Sequence, residues 1–292
     1  MESAPVFRFA PSPNGYLHLG HAYSALLNRR IAGEIGGRLL IRIEDIDPER
    51  SRPHFEKALL EDLAWLGLEW EKPPRRQSEH LCEYRAALED LMRRGLAYPC
   101  FCSRTDIVAR CAVAKAWPRD PDGSLLYPGT CRGLSRAERE GRIGAGARFS
   151  VRLDMAEAMQ GVVAPLSYLE CHEGPESVAV AVDPARWGDA LIGRRDVPAS
   201  YHIACTLDDA FQGVTDVVRG VDLEAATGLH RVLQALLGLK TPIYRHHRLV
   251  LDEAGRKLAK SRSAVSLRDL RAQGVTPNEV RQRLARVMER AI

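Results

Sequence analysis

Long apolar runs are missing from this chain of 292 residues. No segment approaches the roughly 18 consecutive apolar residues that a membrane-spanning helix needs, so no membrane association is expected. The N-terminus, Met1-Glu2-Ser3-Ala4-Pro5, lacks a basic stretch followed by an apolar core, so no secretory leader is expected and the chain reads as cytoplasmic. Internal repeats and low-complexity tracts are also missing, which speaks against solenoid and disordered classes. A regular disulfide framework is absent too. The seven cysteines are odd in number and unevenly spaced, and in a cytoplasmic chain they point to metal ligands or buried thiols before disulfides. What is present is 45% apolar residues, enough for one large domain or two ordinary ones.

Lysine is scarce, at six of the 42 basic residues, and two of the six, Lys257 and Lys260, stand three apart. Charge is also unevenly spread. Residues 240–292 hold thirteen Lys or Arg against five Asp or Glu, a balance of +8, against −4 for the first 239 residues. A basic C-terminal part suits phosphate binding, and it equally suits a solvated helix face.

Val6 to Ala10 reads as a short strand, ended by the turn Pro11-Ser12-Pro13-Asn14-Gly15. A helix is expected from Leu19 to Ile35, stopped by Gly36-Gly37, and a second buried strand from Arg38 to Glu44. Strand, helix and strand within some 40 residues make a βαβ unit with a right-handed crossover and a parallel sheet. Ligands bind at the carboxyl ends of such strands, where residues 10–15 and 44–47 fall. Helices are expected at 55–66, 81–96, 223–237 and 278–292. Strands are expected at 148–153, 177–182, 201–206, 214–219 and 249–251, resuming the sheet after a cysteine-bearing, turn-rich insertion. The division is then 1–97 and 147–239 for the two halves of the main domain, 98–146 for the insertion and 240–292 for the C-terminal segment.

His18 and His21 stand three apart at a helix start, so both rings can face one ligand. The helix N-terminus adds a partial positive charge and free N–H groups suited to phosphate, and Gly20 lets a flat ligand approach the backbone. The bland alternative for a His-x-x-His at a helix start is capping. The run Arg8-Phe9-Ala10-Pro11-Ser12-Pro13-Asn14-Gly15-Tyr16-Leu17-His18-Leu19-Gly20-His21 resembles the His-x-Gly-His signature of class I aminoacyl-tRNA synthetases, in the wording of their glutamate-specific branch. Lys257-Leu-Ala-Lys260-Ser261 resembles the Lys-Met-Ser-Lys-Ser loop of the same class, with Ala259 where the family has Ser. Two ammonium groups on such a loop can neutralise a leaving pyrophosphate.

The resemblance implies an α/β fold: a Rossmann-type catalytic domain with a parallel sheet, a small inserted zinc-type subdomain and a short helical C-terminal segment. It assigns His18, Gly20, His21, Lys257, Lys260 and Ser261 to ATP, which would arrive with Mg²⁺. It assigns Arg8, Phe9, Ala10, Pro11, Ser12, Glu44, Tyr201 and Arg219 to L-glutamate. Chemistry agrees, since an ammonium needs a carboxylate such as Glu44 and a side-chain carboxylate needs a guanidinium. Arg8 and Arg219 are the candidates for the latter, with a structural salt bridge as the alternative for each. The stretch ending Arg219-Gly-Val-Asp222 departs from the family in having Leu223 where histidine is often found.

Cys100, Cys102 and Cys131 offer three thiolates, and a fourth donor would complete a structural zinc site. The resemblance names Tyr127 as that donor, and Cys111 competes for the place. Only 31 residues follow Ser261, so the large anticodon-reading domain of full-length glutamyl-tRNA synthetases is not expected. This architecture resembles the short paralogues that activate glutamate without tRNA and transfer it to queuosine in the anticodon loop of tRNA(Asp). A monomer acting on tRNA(Asp) is therefore expected. The alternatives are a truncated synthetase charging the 3′ end of tRNA(Glu) and a non-catalytic tRNA-binding module.

Overall fold

The computed structural model describes residues 4–163, 165–172, 176–251 and 265–289. Val6–Phe9 (β1) is buried at every position, the mark of a strand covered on both faces. The helix Leu19–Glu34 crosses over to Arg38–Ile43 (β2). The two strands pair in parallel from Val6↔Arg38 to Phe9↔Ile41, so the expected βαβ unit is present. Gly37 permits the return, since a Cβ there would lie 2.9 Å from the Pro5 carbonyl oxygen. Outside β2 runs Glu71–Arg76 (β3), which its composition hid. Pro73 and Pro74 read as strand breakers, but an edge strand needs ladder hydrogen bonds on one side only.

The chain then builds Ala97–Cys100 (β4), Ser150–Leu153 (β5), Ser167–Cys171 (β6), Ser177–Ala181 (β7), Leu191–Gly193 (β8), Asp216–Gly220 (β9) and Ile243–His247 (β10). Seven strands form one sheet in the order β3-β2-β1-β9-β10-β6-β7. It is parallel except for β7, which is antiparallel to β6. Strands lead away from β1 in one direction to β2 and β3, and in the other to β9 and β10. The β1/β9 boundary is therefore a topological switch point, where a crevice opens beyond the carboxyl ends of the strands.

Three sequence expectations are corrected. The sheet is not resumed at once after the insertion, because β5 pairs with β4 and β8 in a separate three-stranded antiparallel sheet. Leaving and returning through neighbouring antiparallel strands needs no crossover, so the insertion closes on itself. Residues 201–206 belong to a helix, Tyr201–Phe211, capped by the Ser200 side chain at the Ile203 N–H. The apolar run looked like a strand, but Tyr201, Cys205, Asp208 and Asp209 share a face only at helical spacing. Residues 249–251 form no named strand, and β10 precedes them. Among the described residues no helix is long and apolar enough to cross a membrane.

The C-terminal segment packs on the first half of the sheet. Leu267, Leu270, Val280 and Leu284 join Leu59 and Leu63 of the helix Pro53–Trp65 in one buried cluster. At this contact Asp62 is fully buried. Neither of its oxygens has a hydrogen-bond partner among the described residues, and Arg271 Nη1 lies 3.8 Å away. Burial pushes the Asp62 carboxyl up to about 6, against an ordinary value of 3.8. The folded chain thus keeps a proton that the unfolded chain has lost, so stability falls as pH rises from about 4 to 6 and stays reduced above. Asp62→Asn is expected to raise the unfolding free energy by about 1–3 kcal/mol at pH 8 and to change little near pH 3.5. Urea titrations at the two pH values check this, and an equal effect at both would contradict it.

Candidate active site

A cavity of about 510 Å³ opens at the switch point. Its wall includes Arg8, Phe9, Ala10, Pro11, Ser12, His18, Gly20, His21, Glu44, Tyr201 and Arg219. These are all the residues expected to meet glutamate and those expected to meet ATP, apart from Lys257, Lys260 and Ser261, which lie outside the described residues. On either side of those three in sequence, Val250 lines the cavity and Ser266 pairs with His18.

The two histidines are helix caps as well as cavity wall. His18 Nδ1 accepts from the Gly20 N–H at 3.1 Å, and His21 Nδ1 accepts from the His18 N–H at 3.2 Å. Their ring centroids are 3.9 Å apart. Accepting at Nδ1 places the proton of a neutral imidazole on Nε2, so capping orients both rings as Nε2–H donors. Capping and ligand binding, posed as rivals by the sequence, are compatible. Gly20 leaves room for this cap, since a Cβ would stand 3.0 Å from His18 Cε1 and press on the ring.

Below the wall lies a buried charge network. Asp209 Oδ1 accepts from Arg8 Nε at 3.0 Å and from Arg42 Nη1 at 2.6 Å. Arg42, fully buried, also donates to Glu44 Oε1 at 3.2 Å. It sits where the β2/β3 register shifts, an irregularity that re-aims a side chain. Burial favours the protonated form of Asp209, but Arg8 and Arg42 outweigh it and hold the carboxyl below its usual range. Glu44 goes the other way: burial raises it more than Arg42 and Arg8 lower it. The neighbouring Asp208 accepts from Arg75 Nε at 2.8 Å, Gln77 Nε2 at 2.9 Å and Tyr84 Oη at 2.9 Å.

Arg219 is surrounded differently. Its Nη2 donates to Thr227 Oγ1 at 2.7 Å, its Nη1 to Tyr201 Oη at 3.2 Å and His230 Nδ1 at 3.5 Å, and its Nε to His246 Nε2 at 3.4 Å. Burial, reinforced by Arg219, holds His230 well below its ordinary range, so it is neutral. Among the described residues no carboxylate forms an ion pair with Arg219. A guanidinium buried among neutral partners is a strong anion receptor.

A second cavity, about 830 Å³, meets the first at Ser12, Asn14, Glu44 and Tyr201 and extends to the insertion residues Arg104, Arg119, Asp122 and Tyr127. Nearby, the Sγ atoms of Cys100, Cys102 and Cys131 lie within 4.8 Å of one another, close enough to hold a metal ion. Tyr127 Oη is 3.4 Å from Cys102 Sγ and accepts from the Cys131 N–H at 2.9 Å. Cys111 is buried but is not one of these converging thiols.

The family model described as tRNA synthetases class I (E and Q), catalytic domain, matches residues 6–289. The chain belongs to that family. A Glutamyl-Q tRNA(Asp) synthetase of Rhodobacter capsulatus is 46% identical over 281 residues, 95% of this chain and 98% of that protein. One of Symbiobacterium thermophilum is 38% identical over 95% of this chain and 84% of that protein. Among solved structures, a glutamate tRNA ligase from Elizabethkingia meningosepticum, crystallised in complex with its amino acid, superposes with a TM-score of 0.73 at 26% identity. This chain spans about half of that longer synthetase, 53% of its length.

In this synthetase fold the signatures mark the cavity wall but not its supports. Arg42, Thr227, Glu170 and His246 carried no individual role in the sequence, and Asp208 and Asp209 only as part of a family-like run, because the six are spread over five strands and helices. The one available signal was the Asp208-Asp209 pair in a run that looks apolar, since buried carboxylates need buried cations. Asp208→Ala would leave Arg75 and Tyr84 short of a partner and is expected to cost about 3–5 kcal/mol of folding stability. Urea unfolding followed by circular dichroism measures this, and a loss below about 1 kcal/mol would show that Asp208 does not tie the helix Tyr201–Phe211 to β3.

Proposed function

We propose that this synthetase activates L-glutamate with ATP, without tRNA, and transfers the glutamyl group to queuosine in the anticodon loop of tRNA(Asp). The supporting observation is Arg219, buried beside the cavity with only neutral hydrogen-bond partners and thus fitted to a carboxylate that the protein does not supply. The resemblance over almost the whole length of the Rhodobacter capsulatus protein supports the acceptor assignment.

In this reading Arg8 and Arg219 hold carboxylate groups of glutamate and Glu44 receives its ammonium, with Tyr201 and Phe9 to Ser12 shaping the pocket. The α-carboxylate attacks the α-phosphate of ATP, forming a carbon–oxygen–phosphorus anhydride and releasing pyrophosphate. His18 and His21 present Nε2–H to the phosphates beside the helix N-terminus, and Gly20 keeps the backbone open to the nucleotide. Lys257, Lys260 and Ser261 complete the phosphate contacts, with Lys257 and Lys260 neutralising the leaving group, and Mg²⁺ arrives with ATP. A hydroxyl of the queuosine cyclopentenediol then attacks the glutamyl carbonyl carbon, the bond to phosphate breaks and AMP departs. The second cavity, continuous with the first, receives the acceptor.

The cysteine cluster fits zinc. Three thiols within reach of one ion, with a phenol oxygen against them, match a structural site. Cys100, Cys102, Cys131 and Tyr127 would hold the ion, which would link the end of β4 to the turn at 127–131. Metal analysis is expected to find one zinc per chain, lost in Cys131→Ser with a lower unfolding midpoint. A metal-free protein with the same midpoint would favour buried thiols.

The decisive assay incubates the protein with ATP, Mg²⁺ and labelled glutamate, using tRNA from cells with and without queuosine. Label is expected only on queuosine-containing tRNA(Asp). Label on tRNA(Glu) irrespective of queuosine would instead establish a protein-synthesis enzyme.

A further inference from the structure

Behind Arg219 lies a pair of buried ionisable groups on neighbouring strands, His246 on β10 and Glu170 on β6, that the chemistry above leaves unused. His246 Nδ1 and Glu170 Oε1 are 2.7 Å apart, and Tyr168 Oη donates to Glu170 Oε2 at 3.4 Å. On its other edge, His246 Nε2 faces Arg219 Nε at 3.4 Å and Thr227 Oγ1 at 3.0 Å. The donors fix the rest. Arg219 can only donate and Glu170 accepts, so the imidazole carries its proton on Nδ1 and presents a bare Nε2 to the guanidinium. Thr227 accepts from Arg219 Nη2, so its own proton turns to Nε2. Burial and Arg219 push His246 down to about 4 despite Glu170, in keeping with a neutral ring.

We infer that His246, held in one tautomer by Glu170, is the positioning residue that orients Arg219 for the substrate's carboxylate. The arrangement places the protein's counter-charge one residue away. A carboxylate in direct contact would occupy the guanidinium fork and compete with the substrate. Set behind a neutral imidazole, Glu170 balances the buried charge while the fork keeps its demand for an anion. This inference rests on the reading of Arg219 as a carboxylate receptor.

The test is glutamate-dependent ATP–pyrophosphate exchange in full-length wild type, Arg219→Ala, His246→Phe, His246→Gln and Glu170→Gln, with KM determined separately for glutamate and ATP. His246→Phe is expected to raise KM for glutamate roughly tenfold or more, with KM for ATP unchanged. His246→Gln should restore most of the loss, because an amide can donate to Glu170 and accept from Arg219. Glu170→Gln is expected to raise KM for glutamate by roughly threefold or more, since its amide can donate to Nδ1 and force the wrong tautomer. It decides the matter if His246→Phe does not fold. A folded His246→Phe with wild-type KM for glutamate, or one in which both KM values rise together, overturns the positioning role. Absence of exchange in wild type, or an unaffected Arg219→Ala, would instead overturn the reading on which it rests.

Discussion

Burying positive charge at the switch point of the sheet is the constraint on which the rest of this structure depends. Arg8, Arg42 and Arg219 are all nearly or fully buried, and a buried guanidinium is costly unless most of its donors are met. The protein solves the problem in two ways. Arg8 and Arg42 share the Asp209 carboxylate, and Arg42 also donates to Glu44, Gln212 and Cys205. Arg219 is met by a threonine, a tyrosine and two imidazoles, which satisfy geometry without supplying charge. One half of the cavity floor is thereby neutralised, and the other is left in need of an anion.

That division follows from topology. Arg8 and Arg219 stand on β1 and β9, the adjacent strands at the switch point, so both face one crevice. Helix Tyr201–Phe211 crosses beneath them and supplies Tyr201, Cys205 and Asp209 from a single face. Burial pushes the Cys205 thiol up to about 12, so it is a neutral spacer between Arg8 and Arg42 and not a nucleophile. The insertion, left and re-entered through the antiparallel pair β4 and β5, lines part of a second cavity alongside the first without disturbing the parallel core. The larger space therefore borders the smaller one across Glu44 and Tyr201.

Local patterns were legible where they rest on local physics. The turn after β1, the helix from Leu19 and the strand from Arg38 were readable because proline, glycine and continuous apolar character act over a few residues. The cavity wall was legible through the His18/His21 run. The helix at Tyr201 was not, since its apolar run suits either structure and its Ser200 cap is a single weak signal. β3 was hidden because prolines are allowed at an edge that the sequence does not announce.

The sequence by itself determined the α/β class, the βαβ start, the identity of eleven residues on the cavity wall and the three thiols able to converge. Tertiary structure alone decided that β5 and β8 leave the main sheet, that His18 and His21 are both caps and wall, and which buried group answers each arginine. The physical reason is range. Propensity and capping operate within a turn or two of chain, whereas the pairings of Arg8 with Asp209, Arg42 with Asp209 and His246 with Glu170 span 201, 167 and 76 positions and exist only after the strands have found their order.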